Sequence, residues 1–187
     1  MRKERDMKIA WYNTTNPDKV REVEHFFGPT SKLGILRSAV TEVLDANLEK
    51  VILAKAAAAY QVCRVPVVVE HGAFCLDALG GMPGALIKPL WETLQFRICD
   101  LVPAGQSRTM FARSAVCYCD GRTRTLILKE VKGELATKAR GSGGFHWDPI
   151  FIPEGHTRTF AEMSLTEKLA LSPAGLAYAE LRQRLSL

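Results

Sequence analysis

The sequence lacks any apolar run of about 18 residues, which excludes a transmembrane helix of ordinary length. It also lacks an apolar stretch behind its charged start, residues 1–6, so we expect no secretory signal. Internal repeats and low-complexity linkers are absent, and hydrophobic residues make up 47% of the chain, which is too many for a disordered protein. These absences favour a globular protein of the cytoplasm.

Paired cysteine motifs are also missing. None of the five cysteines belongs to a C-x-x-C pair, and the four histidines are scattered along the chain. Structural zinc sites commonly use such pairs or clustered histidines, so we expect no zinc. An odd number of cysteines does not suggest a disulfide framework, and we expect free thiols in a reducing compartment.

No block of lysine or arginine is present, although 25 basic residues outnumber 20 acidic ones and the formal net charge is +5. The absence of a basic arm argues against nucleic acid as a partner, and we expect no membrane partner either. A mild positive excess that is spread along the chain is compatible with a polyanionic small molecule as ligand.

The 187 residues fit a single domain, since a domain averages about 150 residues. We therefore predict one domain over residues 1–187. Residues 1–6 are predicted to be a disordered N-terminal extension, which a start at Met7 would leave out.

Short apolar runs alternate with helical patterns, which predicts a mixed α/β fold. Strands are predicted at residues 8–12 and 65–70, the second of them central because both of its faces are apolar. Asp120-Gly121 predicts a hairpin between residues 108–118 and 124–131. Helices are predicted at 18–27, 47–62, 85–96, from the capping box of Thr159 and Glu162 through 171, and from Ser172-Pro173 to 185, with a loop at 79–84.

The first candidate for chemistry is Thr14-x-Asn16-x-x-Lys19, between a predicted strand and a predicted helix. Free backbone N–H groups at a helix start favour phosphate, and Lys19 adds a positive charge one turn later. The alternative interpretation is an ordinary capped helix with a solvated lysine.

Two further candidates are acidic or titratable. Glu42 is the kind of single carboxylate that a magnesium–triphosphate site needs from a protein. Glu70-His71-Gly72 follows the predicted central strand, and polar residues at such a strand end are where open α/β sheets bind ligands. His71 is a candidate general base, or alternatively a strand-end histidine without a role.

The remaining candidates lie later in the chain. Phe145-His146-Trp147-Asp148 follows a glycine-rich loop, and two aromatic rings with an acceptor suit a flat heterocycle. The alternative is that Trp147 anchors the loop to the core. Lys88 and Lys168 lie on predicted helices and are candidates for anion binding or ordinary surface lysines.

The order of these motifs resembles the inosine triphosphate pyrophosphatase family. The matching blocks are Thr14-x-Asn16-x-x-Lys19, Val69-Glu70, Ala78-Leu-Gly-Gly-Met-Pro-Gly84, Gly144-Phe-His-Trp-Asp-Pro-Ile-Phe151, Ala161-Glu-Met163 and Glu167-Lys168. They extend over nearly the whole chain, from about residue 8 to residue 185. The Leu-Gly-Gly-x-Pro-Gly and Phe-x-Trp-Asp-Pro blocks are the most specific of them.

The resemblance implies an elongated, two-lobed α/β fold with a central mixed sheet and flanking helices, usually as a homodimer. It implies hydrolysis of a nucleoside triphosphate to monophosphate and pyrophosphate with Mg²⁺ as cofactor. From the resemblance together with the residues present, we predict catalysis by His71, Lys19 and Lys88, metal binding by Glu42 and Glu70, and substrate binding by Thr14, Asn16, Lys19, Gly72, Lys88, Phe145, His146, Trp147, Asp148 and Lys168.

The chain departs from the family pattern at three places. His71 replaces the acid that ligates the metal and activates water, and a neutral imidazole is a poor ligand for Mg²⁺. Pro173-Ala174 replaces a His-Arg pair that donates to the keto oxygen of the base, so the preference for 6-keto purines is in doubt. Gly72 replaces a small polar side chain beside the phosphates.

These departures leave three hypotheses open. The chain is a nucleoside triphosphate pyrophosphatase with weakened or altered activity and base preference, a catalytically silent nucleotide-binding protein, or a hydrolase recruited to another nucleotide reaction that uses His71.

Overall fold

The structure, a computed structural model, describes residues 8–187. The predicted extension at residues 1–6 lies outside this part of the chain. In chain order the strands and helices are β1 (Ala10–Asn13), α1 (Pro17–Phe27), β2 (Leu33–Leu36), α2 (Leu48–Cys63), β3 (Val67–Leu76), β4 (Pro83–Gly84), α3 (Ile87–Leu94), β5 (Thr109–Cys119), β6 (Arg124–Leu135), β7 (Phe151–Pro153), α4 (Leu165–Leu171) and α5 (Pro173–Leu185).

The strands form one mixed sheet, as predicted, in the order β2-β1-β3-β5-β6-β7, with β4 attached to β3. β1 is parallel to β2 and β3, whereas the other pairs are antiparallel. The long hairpin of β5 and β6 turns at Asp120, whose side chain accepts hydrogen bonds from two backbone N–H groups in the turn. The predicted hairpin is therefore confirmed.

The edge of β3 that faces β1 has a gap in its pairing. β1 pairs with β3 only through Trp11↔Val67 and Tyr12↔Val68, and β4 begins pairing at Phe74. The stretch from Glu70 to Gly72 lies in that gap, while its other edge is fully paired with β5. The gap opens the middle of a central strand to ligand without breaking the sheet.

Helices cover both faces of the sheet near the gap. Side chains alternate along β3, so Val67, Val69 and His71 point to the face of α2 and Val68 and Glu70 to the opposite face. On the first face Val67 and Val69 pack with α2, and on the second Val68 packs with α5 residues including Tyr178. A further apolar cluster surrounds Phe74 and Leu76 beyond the gap, so the open stretch lies between two cores.

Several predicted boundaries are wrong. The strand predicted at 65–70 continues to Leu76, because residues 73–76 are apolar, buried and paired with β5 throughout. Glu70-His71-Gly72 therefore lies in the middle of a strand and not at its end. The four-residue strand β2 was not predicted, and the predicted loop at 79–84 contains a helical turn and β4.

Two predicted helices are also shorter than expected. The capping box of Thr159 and Glu162 begins only a short helical turn, and a second box, Ser164 with Glu167, begins α4. The helix predicted at 85–96 is observed only over Ile87–Leu94. A segment of tighter helical turns follows it and ends at Leu101. The helices at α1, α2 and α5 agree with prediction, with Asn16, Asn47 and Ser172 as N-caps. Within residues 8–187, no helix is both long and apolar enough to cross a membrane.

Candidate active site

A cleft of about 710 Å³ opens beside the gap in β3. This volume is typical of small-molecule sites. Every residue that the sequence predicted for the site lines this cleft, namely Thr14, Asn16, Lys19, Glu42, Glu70, His71, Gly72, Lys88, Phe145, His146, Trp147, Asp148 and Lys168. The sequence candidates, which are spread over more than 150 positions, therefore meet at one place.

The start of α1 forms one wall of the cleft. The Asn16 side chain accepts hydrogen bonds from the N–H groups of Asp18 and Lys19, and Thr14 Oγ1 accepts one from the Asn16 N–H. The expectation of free N–H groups here is wrong, because these side chains already satisfy three of them. What the helix start does supply is the Lys19 ammonium, one turn in.

Lys19 forms an ion pair with the buried carboxylate of Glu70, whose other oxygen accepts a hydrogen bond from Ser114 at 2.9 Å. Burial by itself raises the pKa of Glu70, but nearby ammonium groups, that of Lys19 foremost, hold this pKa below its usual value. Glu70 is consequently ionised, and both of its oxygens have protein partners.

Lys55 of α2 reaches the cleft from the face of the sheet that α2 covers, which is opposite to the face where the Glu70 side chain lies. Its Nζ lies 2.6 Å from Glu42 Oε1 and donates a 3.0 Å hydrogen bond to the backbone carbonyl of Glu70. Burial and the charge of Lys19 lower the pKa of Lys55. Burial raises the pKa of Glu42, but the Lys55 ammonium outweighs it, so the net shift of that pKa is downward.

His71 points to the same face as Lys55. Its Nε2 lies 3.2 Å from the backbone carbonyl of Ala85, and only 8% of the residue is exposed. Burial, followed by the charges of Lys19 and Lys55, lowers its pKa, so the ring is neutral at pH 7. The cleft thus receives a neutral imidazole at a place where the resemblance implies a carboxylate.

The far end of the cleft is formed by residues 145–148. Phe145 presents an aromatic face, and the Lys168 ammonium lies 4.5 Å from its ring centre. Trp147 packs edge-on against Phe74 and Phe151, which is the anchoring role that the sequence left open. His146 is exposed beside Phe145, so it and the Phe145 ring are accessible to a planar group.

The loop is held by a buried cluster of charged groups. Lys168 Nζ lies 2.6 Å from Glu22 Oε1 and 2.5 Å from Asp148 Oδ2, and the latter oxygen also accepts a hydrogen bond from the Phe145 N–H. Burial raises the pKa values of Glu22 and Asp148. Gly144 permits this contact, because a Cβ there would lie 2.2 Å from Asp148 Oδ2.

The start of α5 closes the end of the cleft near Phe145, and neither Pro173 nor Ala174 offers a side-chain donor there. Ser172 Oγ accepts a hydrogen bond from the Gly175 N–H and so caps the helix. Pro173 and Ala174 line the cleft next to it. This part of the wall is apolar where the resemblance implies two donors.

Sequence reasoning missed Lys55, Glu22 and Ser114. A signal for Lys55 was available, because it occupies one position of the buried stripe of α2, whose other members are Val51, Ile52, Ala56 and Ala59. A lysine on such a stripe requires a buried partner. Ser114 had no comparable signal, since only the register between β3 and β5 brings it to Glu70.

The sequence of the chain matches the model of the Ham1 family over residues 10–184. The chain is a member of the Ham1 family. Among its relatives, a Thermococcus kodakarensis protein named dITP/XTP pyrophosphatase is 36% identical over 181 residues, which cover 93% of this chain and 95% of that protein. A Yarrowia lipolytica protein named inosine triphosphate pyrophosphatase is 34% identical over 161 residues, with 85% and 86% covered.

The fold is that of solved Ham1 structures. A HAM1 protein from Coxiella burnetii superposes with a TM-score of 0.80 at 20% identity and covers 95% of this chain and 98% of its own. The resemblance inferred from the motifs and the predicted α/β fold are both confirmed.

Proposed function

We propose that this Ham1 protein is a nucleoside triphosphate pyrophosphatase that hydrolyses its substrate to a monophosphate and pyrophosphate. The observation that carries the proposal is the cleft itself, which combines a cluster of lysines at one end with an aromatic face at the other. Relatives named dITP/XTP pyrophosphatase, similar over nearly their whole length, support the same reaction.

The lysine end accounts for triphosphate binding. The cleft is lined around the gap in β3 by Lys19, Lys55 and Lys88. Lys168 lines it beside Phe145. A triphosphate brings enough negative charge to replace the carboxylates that now neutralise Lys19 and Lys55. In this proposal the two lysines move from Glu70 and Glu42 toward the phosphates and stabilise the charge that develops as pyrophosphate leaves.

The aromatic end accounts for base binding. The face of Phe145 that is not covered by the Lys168 ammonium stacks on a planar base, and Asp148 also lines this end of the cleft. Because Pro173 and Ala174 supply no side-chain donors, the proposed site discriminates weakly between keto and amino groups on the base.

Nucleotide pyrophosphatases of this kind generally use a divalent metal ion. When bound, the ion polarises the phosphoryl oxygens. The predicted Mg²⁺ ligands Glu42 and Glu70 do not fit a shared site, since each carboxylate is paired with a different lysine, Glu42 with Lys55 and Glu70 with Lys19. Residues 8–187 also contain no group of three or more His, Cys, Asp or Glu placed to hold a metal.

A pair of lysine variants tests the triphosphate assignment. Replacing Lys55 with Met should lower kcat/KM for inosine triphosphate at least tenfold, because it removes a buried charge that faces the phosphates. Replacing Lys50 on the same helix, which is exposed and pairs with Asp45, should leave kcat/KM unchanged. Equal effects of the two variants would contradict the assignment.

Product analysis tests the reaction. The purified protein is incubated with divalent ions and inosine, xanthosine, deoxyuridine and the standard triphosphates, and products are separated by ion exchange. Pyrophosphate with a monophosphate is expected. Nucleotide binding without turnover would instead support a catalytically silent nucleotide-binding protein. Two observations favour that alternative: Glu42 and Glu70 are both paired with lysines, and His71 stands where an acid is expected.

Two further features belong to the proposal. We expect a homodimer, which sedimentation would detect as a species of twice the 20.7 kDa monomer mass. We also place the protein in the cytoplasm. Its five cysteines are free thiols, which suits a reducing compartment.

A further inference from the structure

The carboxylates beside the gap in β3 are already bound by ammonium groups. Glu42 Oε1 lies 2.6 Å from Lys55 Nζ, and Glu70 forms an ion pair with Lys19 while its other oxygen accepts a hydrogen bond from Ser114. An ammonium group donates and has no lone pair, so neither lysine can act as a metal ligand. A divalent ion would have to displace both lysines before it could bind these two carboxylates.

His71 does not restore a metal site at this place. Its Nε2 lies 3.2 Å from the Ala85 carbonyl oxygen, which can only accept, so Nε2 donates and one ring nitrogen is already engaged. Imidazole suits transition metals, whereas Mg²⁺ selects oxygen ligands. In the part of the chain that the structure describes, no three His, Cys, Asp or Glu side chains are placed to hold a metal ion. The resemblance implies a divalent ion here, and the side chains present do not fit one.

The charges at the gap balance without an ion. Lys19 and Lys55 each bring one positive charge, and their partners Glu70 and Glu42 each bring one negative charge. His71 adds no negative charge in either of its protonation states, whereas an acid in its place would leave this group of residues negative. An excess of negative charge is what attracts a divalent cation, and these five residues do not provide it.

Lys55 is positioned to offset phosphate charge as an ion would. Its ammonium group has three N–H donors, of which one faces Glu42 and one meets the backbone carbonyl of Glu70 at 3.0 Å. The third can donate to a phosphate oxygen before the other two contacts break. Lys55 is only 8% exposed, so water and salt screen its charge weakly. An ammonium held in such a place stabilises negative charge on a bound phosphate chain.

We propose that this protein binds its nucleoside triphosphate without a divalent ion, with the ammonium groups of Lys19 and Lys55 in place of the metal. The ligand is then the free triphosphate, which carries more negative charge than its Mg²⁺ complex. This inference rests on the proposed function, because it names the form in which that substrate is bound. Mg²⁺ acts as a competitor, since it withdraws free triphosphate and offsets the charge that the lysines would otherwise meet.

Calorimetry of nucleotide binding with and without Mg²⁺ tests this inference. The intact protein is titrated with an inosine triphosphate analogue whose α and β phosphorus atoms are joined by methylene, first in EDTA and then in millimolar Mg²⁺ at the same ionic strength. Mg²⁺ should raise the apparent dissociation constant about tenfold, because the free analogue is the form that binds. An apparent dissociation constant that is unchanged or lower in Mg²⁺ overturns the inference.

Two His→Asp variants provide a matched comparison. His71→Asp adds a negative charge and oxygen ligands at the gap, so Mg²⁺ should now tighten binding of the analogue. His25→Asp makes the same exchange near the end of α1, where His25 is exposed and contacts Thr166, and Mg²⁺ should weaken its binding as in the wild type. Tighter binding of His25→Asp in Mg²⁺ overturns the inference. Weaker binding of both variants in Mg²⁺ supports binding without an ion and assigns it to the lysines alone. If His71→Asp does not fold, the wild type and His25→Asp decide.

Removal of Lys55 tests its part in the inference. In EDTA, Lys55→Met should raise the dissociation constant of the analogue at least about tenfold, because a buried charge that faces the phosphates is lost. Lys50→Met, on the exposed side of the same helix, should leave it unchanged. Equal dissociation constants for the two variants in EDTA overturn the assignment of Lys55 to the place of the ion.

The outcomes distinguish this inference from the proposed function. If the analogue binds only with Mg²⁺, the inference is overturned and the proposed reaction stands. If the analogue binds in EDTA and no pyrophosphate is released from inosine triphosphate with or without Mg²⁺, the inference is supported and the proposed reaction is overturned. Absence of binding in both conditions overturns both.

Discussion

Lys168 holds the loop of residues 145–148, which forms one end of the cleft. Its ammonium is buried between Glu22 of α1 and Asp148 of the 145–148 loop, and Asp148 in turn fixes the backbone of Phe145. A buried ion pair adds little net stability when intact, but loss of one partner leaves a charge without compensation. The ion pairs of Lys168 thus connect α4 with α1 and with the loop of residues 145–148.

Replacing Lys168 with Met should lower the free energy of unfolding by about 3–5 kcal/mol at pH 7. Urea unfolding followed by tryptophan fluorescence measures the loss. Lys129→Met is the control, because Lys129 pairs with Glu180 near the surface and such pairs contribute about 0–1 kcal/mol.

The pH dependence of this loss gives a second check. Burial raises the pKa values of Glu22 and Asp148, and the Lys168 ammonium lowers them. Without that ammonium both pKa values should rise further, so protonation as pH falls stabilises the folded variant more than the folded wild type. The deficit of Lys168→Met should therefore shrink at lower pH. If Lys168→Met loses no more unfolding free energy than Lys129→Met, or if its loss grows on acidification, the buried charge cluster does not stabilise the protein in the way described.

Individual site residues could be predicted only where the sequence carries a local signal. Thr14, Asn16 and Lys19 follow a strand and begin a helix, and this placement is visible in the sequence. Glu22 and Asp148, however, meet through Lys168 from positions up to 146 residues apart. Such long-range pairs follow from packing, which no local pattern records.

At the scale of elements, α4 begins with a capping box whose carboxylate also meets an arginine. Glu167 accepts hydrogen bonds from Arg158 at 2.8 Å and from the Ser164 N–H at 2.8 Å. These bonds, that of Arg158 foremost, lower the pKa of Glu167 to about 2. Because the folded pKa is depressed, the contribution of this cap is present at neutral pH and is lost as pH falls from about 4.5 to about 2.

A carboxyl carbon NMR titration of Glu167 should therefore show a midpoint near pH 2. Replacing Arg158 with Gln should raise this midpoint, while the Ser164 N–H keeps it below the ordinary value. A wild-type midpoint at the ordinary pKa of a glutamate would show that the capping box is open.

In the proposed function, the first turn of α5 lies against the nucleotide base and determines which of its substituents the cleft recognises. Introducing donors there, as Pro173→His with Ala174→Arg, should increase the preference for inosine over adenosine triphosphate at least tenfold. A site that pairs a polar group of the substrate discriminates by up to about 10⁴. The ratio of kcat/KM for the two nucleotides measures the effect, and an unchanged ratio would contradict the assignment of this wall to the base.

The limits of prediction at this scale follow from the polar residues of β3. Glu70, His71 and Gly72 interrupt an apolar run and so predict its end, although the strand continues for four residues beyond Gly72. The pairing with β5 on one edge holds them in extended conformation while the other edge is open. Local sequence contains the interruption but not the partner strand that compensates for it.

At the scale of the whole molecule, the sheet order creates the site. β1 ends before Glu70 and β4 begins after Gly72, so the cleft occupies a break between two strands on the same edge of β3. The sequence predicted the α/β class, the hairpin and the motif order. It did not predict this break, because the lengths of β1 and β4 are set by tertiary pairing.

In the proposed reaction, water attacks the α-phosphorus of a nucleoside triphosphate bound in this cleft, so that pyrophosphate leaves and the new oxygen stays on the monophosphate. Hydrolysis of inosine triphosphate in H₂¹⁸O, followed by mass spectrometry of the products, tests it directly. The account predicts one ¹⁸O atom in the monophosphate and none in the pyrophosphate. Label in pyrophosphate or orthophosphate, or turnover without pyrophosphate, would contradict it.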